Sequence, residues 1–140
     1  MLIAIDNRDP RPLYLQIAAQ VKEQVQRGDL QPGDELPPVR ELADSLGINL
    51  HTVRSAYIRL RDQGVIDLRL GRRARIARRQ PVELTPAEAD RTLGAQVREL
   101  VADAFLLGLS TEDLHALLDR QAGHSDGGAG KHDSHPEETP

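Results

Sequence analysis

Arginine is concentrated in one stretch of the chain, where its side chains could bind an anionic polymer. Ten arginines, no lysine and four acidic residues lie between Arg40 and Arg79. The guanidinium group is a planar fork of hydrogen-bond donors that fits phosphate oxygens and the edge of guanine. An arginine-rich genome would raise the arginine content of the whole chain but would not cluster it in one stretch. The cluster therefore favours a nucleic-acid-binding surface.

The overall charge argues in the opposite direction. The 140 residues carry 18 basic and 22 acidic groups, and a net charge of −4 by itself disfavours binding to DNA. Residues 1–80, however, have a net charge of +4, whereas residues 81–140 have a net charge of −8. Because salt screens charges over about 8–10 Å, a distant acidic segment does not cancel a local basic surface.

Several other functions find no support in the composition. Cysteine is absent, which excludes disulfides, thiolate metal sites and a cysteine nucleophile. The serine-hydrolase, zinc-protease and phosphate-loop motifs are also absent, so we expect neither enzymatic activity nor a cofactor. With only three aromatic residues, the chain lacks a platform for stacking single-stranded bases. No apolar run approaches the ~18 residues of a membrane span, and the N-terminus does not resemble a signal peptide, so we expect a cytoplasmic protein that does not enter the membrane.

The first predicted element is a helix with Pro12 in its first turn and Gly28 as its C-terminal cap. Spacings of three and four residues place one apolar series on a single face of this helix: Tyr14, Ile17, Ala18, Val21 and Val25. Pro32-Gly33 predicts a turn after the helix, and we expect Leu30 and Leu36 to pack this loop onto the core.

A helix-turn-helix is predicted next, with a short helix from Pro38 to Leu46, a turn at Gly47 and a longer helix from Leu50 to about Gln63. Asn49 suits the N-cap of the longer helix. The expected buried positions are Val39, Leu42, Ala43, Leu46, Val53, Ala56, Tyr57 and Leu60. The expected outward positions of the longer helix are His51, Thr52, Arg54, Ser55, Ile58 and Arg59. This arrangement is typical of DNA recognition, although packed helix pairs also occur without a DNA role.

A β-hairpin is predicted after the longer helix. One strand would run from Val65 to Leu70 and the other from Arg73 to Ala77, joined by a type II′ turn at Gly71-Arg72. Six arginines lie on the tip and edges, namely Arg69, Arg72, Arg73, Arg75, Arg78 and Arg79. Charge on an exposed edge can simply prevent aggregation. Six arginines exceed that need and favour a wing that contacts phosphates or the minor groove.

Residues 12–77 resemble the winged helix-turn-helix domain of GntR-family bacterial transcription regulators. The matching stretches are PLYLQI (residues 12–17), GDLQPGDELP (28–37), RELA (40–43), TVRSAY (52–57) and GVI (64–66). The resemblance implies that base and phosphate contacts come from two helices and from the wing tip. The residues concerned are Arg40, Asn49, His51, Thr52, Arg54, Gly71 and Arg72.

The sequence departs from the family pattern at three places. Pro38 stands where the family often has a capping serine, and Leu50 stands where many members carry arginine or another polar residue. The usual wing motif Gly-Arg-Gly-Thr-Phe-Val is here Gly71-Arg72-Arg73-Ala74-Arg75-Ile76. Replacement of the second glycine by Arg73 predicts a phosphate contact in place of a close approach of the backbone.

The C-terminal part is predicted to contain two amphipathic helices. Thr85, Pro86 and Glu88 form a capping box with proline at the first helical position, and Gly108 would end this helix. A second helix would start at Ser110. Two amphipathic helices need a partner surface, which could be the chain's own winged domain, but a two-fold homodimer is favoured. The short tail resembles the YtrA-type subfamily, whose members commonly control operons for membrane transporters.

These patterns together predict a mainly α fold with a small β-hairpin. Residues 1–79 would form a winged helix-turn-helix DNA-binding domain, residues 80–122 a helical dimerisation region, and residues 123–140 a disordered tail. Histidine and aspartate in the tail suggest a metal site, but without a rigid scaffold we do not expect one (His124, Asp126, His132, Asp133, His135).

The predicted function is a homodimeric, sequence-specific transcription regulator, acting as a repressor on a palindromic operator in double-stranded DNA. A winged-helix adaptor that binds another protein is the alternative, and no small-molecule effector can be named from the sequence. The two functions differ in one testable respect, because an adaptor would bind DNA weakly and without regard to sequence.

Overall fold

The computed structural model describes residues 1–80 and 82–123 of the chain. The described residues divide into two compact units, Met1–Arg79 and the residues from Gln80 onward. Within these residues there are five helices and one two-stranded antiparallel sheet. The mainly helical fold with a small hairpin is therefore confirmed.

The first unit is built on three helices, α1 (Leu13–Arg27), α2 (Val39–Leu46) and α3 (Leu50–Asp62). Both α1 and α2 pack against α3, and the predicted inward residues of α3 are all buried. Leu30 and Leu36 of the connecting loop are buried as expected. The core is largely aliphatic and its largest buried side chains are Ile17, Val21, Leu36, Val53, Tyr57, Leu60 and Ile66.

Local signals in the sequence set the ends of α2 and α3. Gly47 ends α2 with a φ of 66°, a conformation that favours glycine. Asn49 caps α3, and its Oδ1 accepts a hydrogen bond of 2.8 Å from the backbone N–H of His51. Two residues, Gly47 and Asn49, therefore specify the turn that sets the direction of α3, as predicted.

Glutamines of α1 bind the N-terminal segment, which the apolar pattern did not predict. The Gln20 amide exchanges two hydrogen bonds with the backbone of Ala4, at 3.0 and 2.6 Å. Gln24 Nε2 donates to the carbonyl of Leu2 at 2.7 Å. Gln16 and Gln24 are buried, whereas Val25 of the predicted apolar face is only half-buried. Buried amides are tolerated because the extended segment satisfies them.

The hairpin is shorter than predicted and its turn differs. β1 (Ile66–Asp67) pairs with β2 (Arg75–Ile76), with Ile66 opposite Ile76, so residues 68–74 form the loop. The Arg72 N–H donates to the carbonyl of Arg69 at 3.1 Å, which places Leu70 and Gly71 at the centre of the turn. Gly71 has a φ of 74° at the second central position. The predicted type II′ turn at Gly71-Arg72 is therefore wrong, because that turn needs its positive φ at the first central position.

The second unit consists of α4 (Pro86–Leu106) and α5 (Thr111–Gly123), which pack against each other. Thr85 and Glu88 form the predicted capping box, with hydrogen bonds of 3.2 and 2.8 Å. Ser110 and Asp113 form an equivalent pair at the start of α5. Thr85 lowers the pKa of the Glu88 carboxyl below its ordinary value, mainly through the hydrogen bond from its backbone N–H and less through its side chain. Ser110 lowers the pKa of Asp113 in the same way.

Gly123, the first residue of the predicted tail, belongs to α5. The rest of that segment, residues 124–140, lies outside the described part of the chain, as do the histidines and aspartates considered there as metal ligands. In the described residues, no group of three or more histidine, aspartate or glutamate side chains could hold a metal ion. No helix within residues 1–80 and 82–123 has the length and apolar character needed to cross a membrane.

Candidate nucleic-acid interface

A groove of about 560 Å³ separates α2 and α3 from the wing. Arg40 of α2, Arg54 of α3 and Gly71 of the wing, all of them predicted contact residues, line this one groove. Apolar side chains and two further arginines complete its lining, which contains no carboxylate (Val39, Leu50, Tyr57, Ile58, Arg61, Arg69, Leu68, Leu70). Arg61 is paired with the neighbouring Asp62, with 3.1 Å between Nη2 and Oδ1. The other three arginines supply a local positive potential that suits an anionic polymer.

The first turn of α3 lines a second depression, of about 340 Å³, beside the start of α1. Asn49, His51 and Thr52 meet here, together with Ser55. Because Asn49 Oδ1 caps the helix, only the amide nitrogen of this side chain is left to donate to an external phosphate. His51 is exposed and Thr52 is half-buried. The predicted contact residues of α3 therefore fall into two neighbouring groups, one on each side of the exposed N-terminal half of the helix.

Tyr57 fixes α3 to the loop that precedes α2. Its buried hydroxyl donates a hydrogen bond of 2.6 Å to the carbonyl of Pro37. Burial, and to a lesser extent the carboxylate of Glu41, raises the pKa of Tyr57 above its ordinary value, so the hydroxyl remains a neutral donor. Tyr57 therefore positions the outward face of α3, and its assignment to the core is confirmed.

Glu35 divides the arginines of the wing into two kinds. Arg75 Nη2 lies 2.7 Å from Glu35 Oε1, and Arg73 Nη1 lies 3.8 Å from Glu35 Oε2. Among the described residues, neither Arg69 nor Arg72 forms an ion pair, although Asp67 lines the same depression as both. Arg73, a predicted phosphate contact, is therefore partly neutralised, and the unpaired charge of the wing is concentrated at the tip.

Replacement of Glu35 by glutamine is expected to strengthen nonspecific DNA binding. The change removes the carboxylate that holds Arg73 and Arg75, so either arginine can then reach a phosphate. Each added phosphate contact increases the slope of log affinity against log salt by about 0.9. We expect affinity for random-sequence DNA to rise about threefold or more at low salt, with a steeper salt dependence measured by fluorescence anisotropy.

Glu99→Gln is the matched control, because it makes the same change in net charge on α4. The control is expected to leave the salt slope unchanged. An equal effect of both substitutions would show that net charge, and not the ion pairs of Glu35, limits binding.

Sequence reasoning missed two features of this interface. Glu35 lies in the loop before α2, forty residues from Arg75, and no local pattern links the two. Arg61, Leu68 and Leu70 line the groove because the hairpin folds back beside α3. The only sequence signal for the arginines of the groove was the high arginine content of residues 40–79.

Comparisons with known proteins agree with this geometry. The family described as "Bacterial regulatory proteins, gntR family" matches residues 13–76. The HTH-type transcriptional repressor YtrA of Bacillus subtilis is 38% identical over 115 residues, which cover 81% of this chain and 87% of that protein. This relative and an HTH-type transcriptional regulator of Mycobacterium tuberculosis, 33% identical over 111 residues, are named as transcriptional regulators, in agreement with the prediction that the chain is not an enzyme.

Solved structures that are similar over most of the chain include the following two. A transcriptional antiterminator from Listeria monocytogenes has a TM-score of 0.77 and 31% identity, with 89% of this chain and 93% of that chain covered. YtrA from Sulfolobus acidocaldarius, a GntR-family transcription factor, has a TM-score of 0.58 and 35% identity, with coverage of 73% and 99%. These values confirm the predicted winged-helix fold and the YtrA-type resemblance.

Proposed function

The chain belongs to the GntR family of bacterial regulatory proteins, and we propose that it is a dimeric repressor that binds a palindromic operator in double-stranded DNA. The observation that carries the proposal is the groove between α3 and the wing. Four arginines from three elements line it, one on α2, two on α3 and one on the wing, and its lining contains no carboxylate. Of these four, Arg61 is paired with Asp62 outside the lining. A surface of this kind can follow a phosphate backbone while the helix beside it enters the major groove.

The N-terminal half of α3 is the part that we assign to base recognition. Arg54 is exposed, and a guanidinium at this position can donate two hydrogen bonds to the O6 and N7 of a guanine. His51 and Thr52 precede Arg54 by three and two residues on the same helix, and we assign them to the same major groove of the DNA. Arg40 and the Asn49 amide are assigned to phosphates beside it.

The wing tip supplies the second set of proposed contacts. Arg72 has an exposed guanidinium, and Gly71 has no side chain to keep the backbone away from DNA. Arg73 remains a candidate phosphate contact, but it first has to leave Glu35. We therefore expect Arg72 to contribute more than Arg73 to the affinity.

The second unit supports a homodimer. Ala104 and Leu114 are the buried hydrophobic residues of this unit, whereas Leu93, Val97 and Val101 on one side of α4 are 52–55% exposed. Leu117 and Leu118 add apolar surface on α5. Contiguous apolar surface of this kind marks an interaction site, and a second copy would cover it with a two-fold axis. A two-fold dimer presents two copies of α3 to two half-sites, as a palindrome requires.

Similarity to YtrA-type proteins supports the finer part of the proposal. We assign the chain to the cytoplasm, where it would repress an operon of the transporter type. The protein-adaptor alternative has no specific contact in its favour.

Selection from a random double-stranded DNA library tests the proposal with the full chain. We expect enrichment of an inverted repeat whose half-site centres lie ~10 bp apart, or a multiple of that spacing. Enriched DNA is expected to bind at least 1,000-fold more tightly than unselected DNA, about the lower limit for specific binding. Binding that shows no sequence enrichment would contradict the proposal and favour the adaptor.

A further inference from the structure

Leu70 is the most exposed large apolar residue of the first unit among the described residues, with a relative exposure of 105%. It lies at the first central position of the turn from Arg69 to Arg72, beside Gly71. Polar residues, glycine and proline are the usual occupants of solvent-exposed turns. The apolar side chain at this protruding point therefore does not serve the packing of the unit.

The neighbours of Leu70 indicate what it could contact. Arg69 and Arg72 flank the turn, and within the described residues neither forms an ion pair with a carboxylate. The tip thus presents one aliphatic side chain between two unpaired cations. Charge of this sign is attracted to the minor groove, most strongly where A·T pairs make it narrow.

We propose that Leu70 enters the minor groove beside each half-site and selects A·T over G·C pairs there; the inference rests on the proposed function. The minor groove is ≈6 Å wide, which admits a tight turn but not a helix. Adenine N3 and thymine O2 are acceptors that Arg69 can satisfy, while Arg72 keeps its proposed contact with a phosphate. Guanine adds an amino group that projects from the groove floor, blocks the leucine methyl groups and donates a hydrogen bond. The side chains of the turn itself, Arg69 to Arg72, include no acceptor for that hydrogen bond, so G·C is disfavoured both by shape and by an unsatisfied donor.

The experiment uses the full chain and the selected operator, with one base pair under the wing changed at a time. Three duplexes are compared, containing A·T, G·C or inosine·C at that position. Inosine is guanine without the amino group, so inosine·C keeps the rest of the pair. We expect A·T and inosine·C to bind with similar affinity and G·C to bind about fivefold more weakly or worse, the effect of one mismatched pair.

Leu70→Ala is expected to remove this discrimination while keeping recognition of the major-groove half-site. Leu2→Ala is the matched control, because Leu2 is also an exposed leucine of the first unit, and this variant should discriminate as the parent protein does. Equal binding of G·C and inosine·C by the parent protein would overturn the inference, as would retained discrimination in Leu70→Ala. Loss of half-site recognition in the parent protein would instead contradict the proposed function, and the inference with it.

Discussion

Replacement of Val97 by glutamate is expected to convert the proposed dimer into a monomer and to weaken operator binding at least 100-fold. Linking two DNA-binding units can raise affinity by a factor of 10² to 10⁴ without any new contact, so loss of the link removes that factor. Val97 lies in the middle of α4 and is 52% exposed in the single chain. The substitution therefore leaves the fold of one protomer intact.

The physical reason for the effect is the desolvation of the new charge. In the proposed dimer the side chain of residue 97 is covered by apolar groups of the second copy. A carboxylate buried there has no cation to pair with, and such burial costs several kcal/mol. Association would fail while the first unit retains its contacts with DNA.

Ala102→Glu provides the matched control on the same helix. Ala102 is exposed and lies on the side of α4 opposite Val97, because five residues correspond to a rotation of about 140°. We expect this variant to remain dimeric in sedimentation experiments and to bind the operator normally. Both variants should bind a DNA duplex with one half-site as the parent protein does.

Two results would contradict the dimer. If Val97→Glu stays dimeric, the face that contains Leu93, Val97 and Val101 is not the interface. If the parent protein is itself monomeric at concentrations that saturate the operator, the two-fold arrangement is wrong.

The parts of the fold that sequence predicted well are those that depend on neighbouring residues. Gly47 and Asn49 act within one helical turn, and so do Thr85 and Glu88. Their side chains satisfy backbone groups a few residues away, so type and spacing are sufficient information. The orientation of α3, and hence the exposure of Arg54, follows from these local signals together with the 3.6-residue period.

The wing was predicted less well because distant residues determine it. The segment that contains β2 is bound on both sides: Ile76 pairs with Ile66, and it also exchanges hydrogen bonds with the loop before α2. The Gly33 N–H donates to the Ile76 carbonyl at 2.8 Å, and the Ile76 N–H donates to the Asp34 carbonyl at 2.8 Å. These contacts span more than forty residues, and the pattern around Gly71 contains no information about them. The ion pairs of Glu35 were not predicted for the same reason, because Arg75 lies 40 residues away in the sequence.

Replacement of Arg54 by alanine is expected to weaken operator binding by about 1–3 kcal/mol, roughly 5- to 150-fold, and to relax specificity at one base pair of each half-site. Arg54 is exposed on the N-terminal half of α3, and no carboxylate lines the groove beside it. Its fork is therefore available for a guanine. Without the guanidinium group, the protein is expected to bind operators with any of the four base pairs at that position with similar affinity.

Arg72→Ala is the informative comparison, because it removes the same charge from the wing. A phosphate contact carries no sequence information, so this variant should bind every sequence more weakly and lower the salt slope by about 0.9. Arg59→Ala serves as the control within α3, since Arg59 is exposed but lies in the last turn of the helix. The three protein variants are distinguished by their affinities for the operator and for its single-base variants, measured at several salt concentrations. If Arg54→Ala weakens all sequences equally, as expected for Arg72→Ala, then Arg54 contacts a phosphate and base recognition must be assigned to His51 and Thr52.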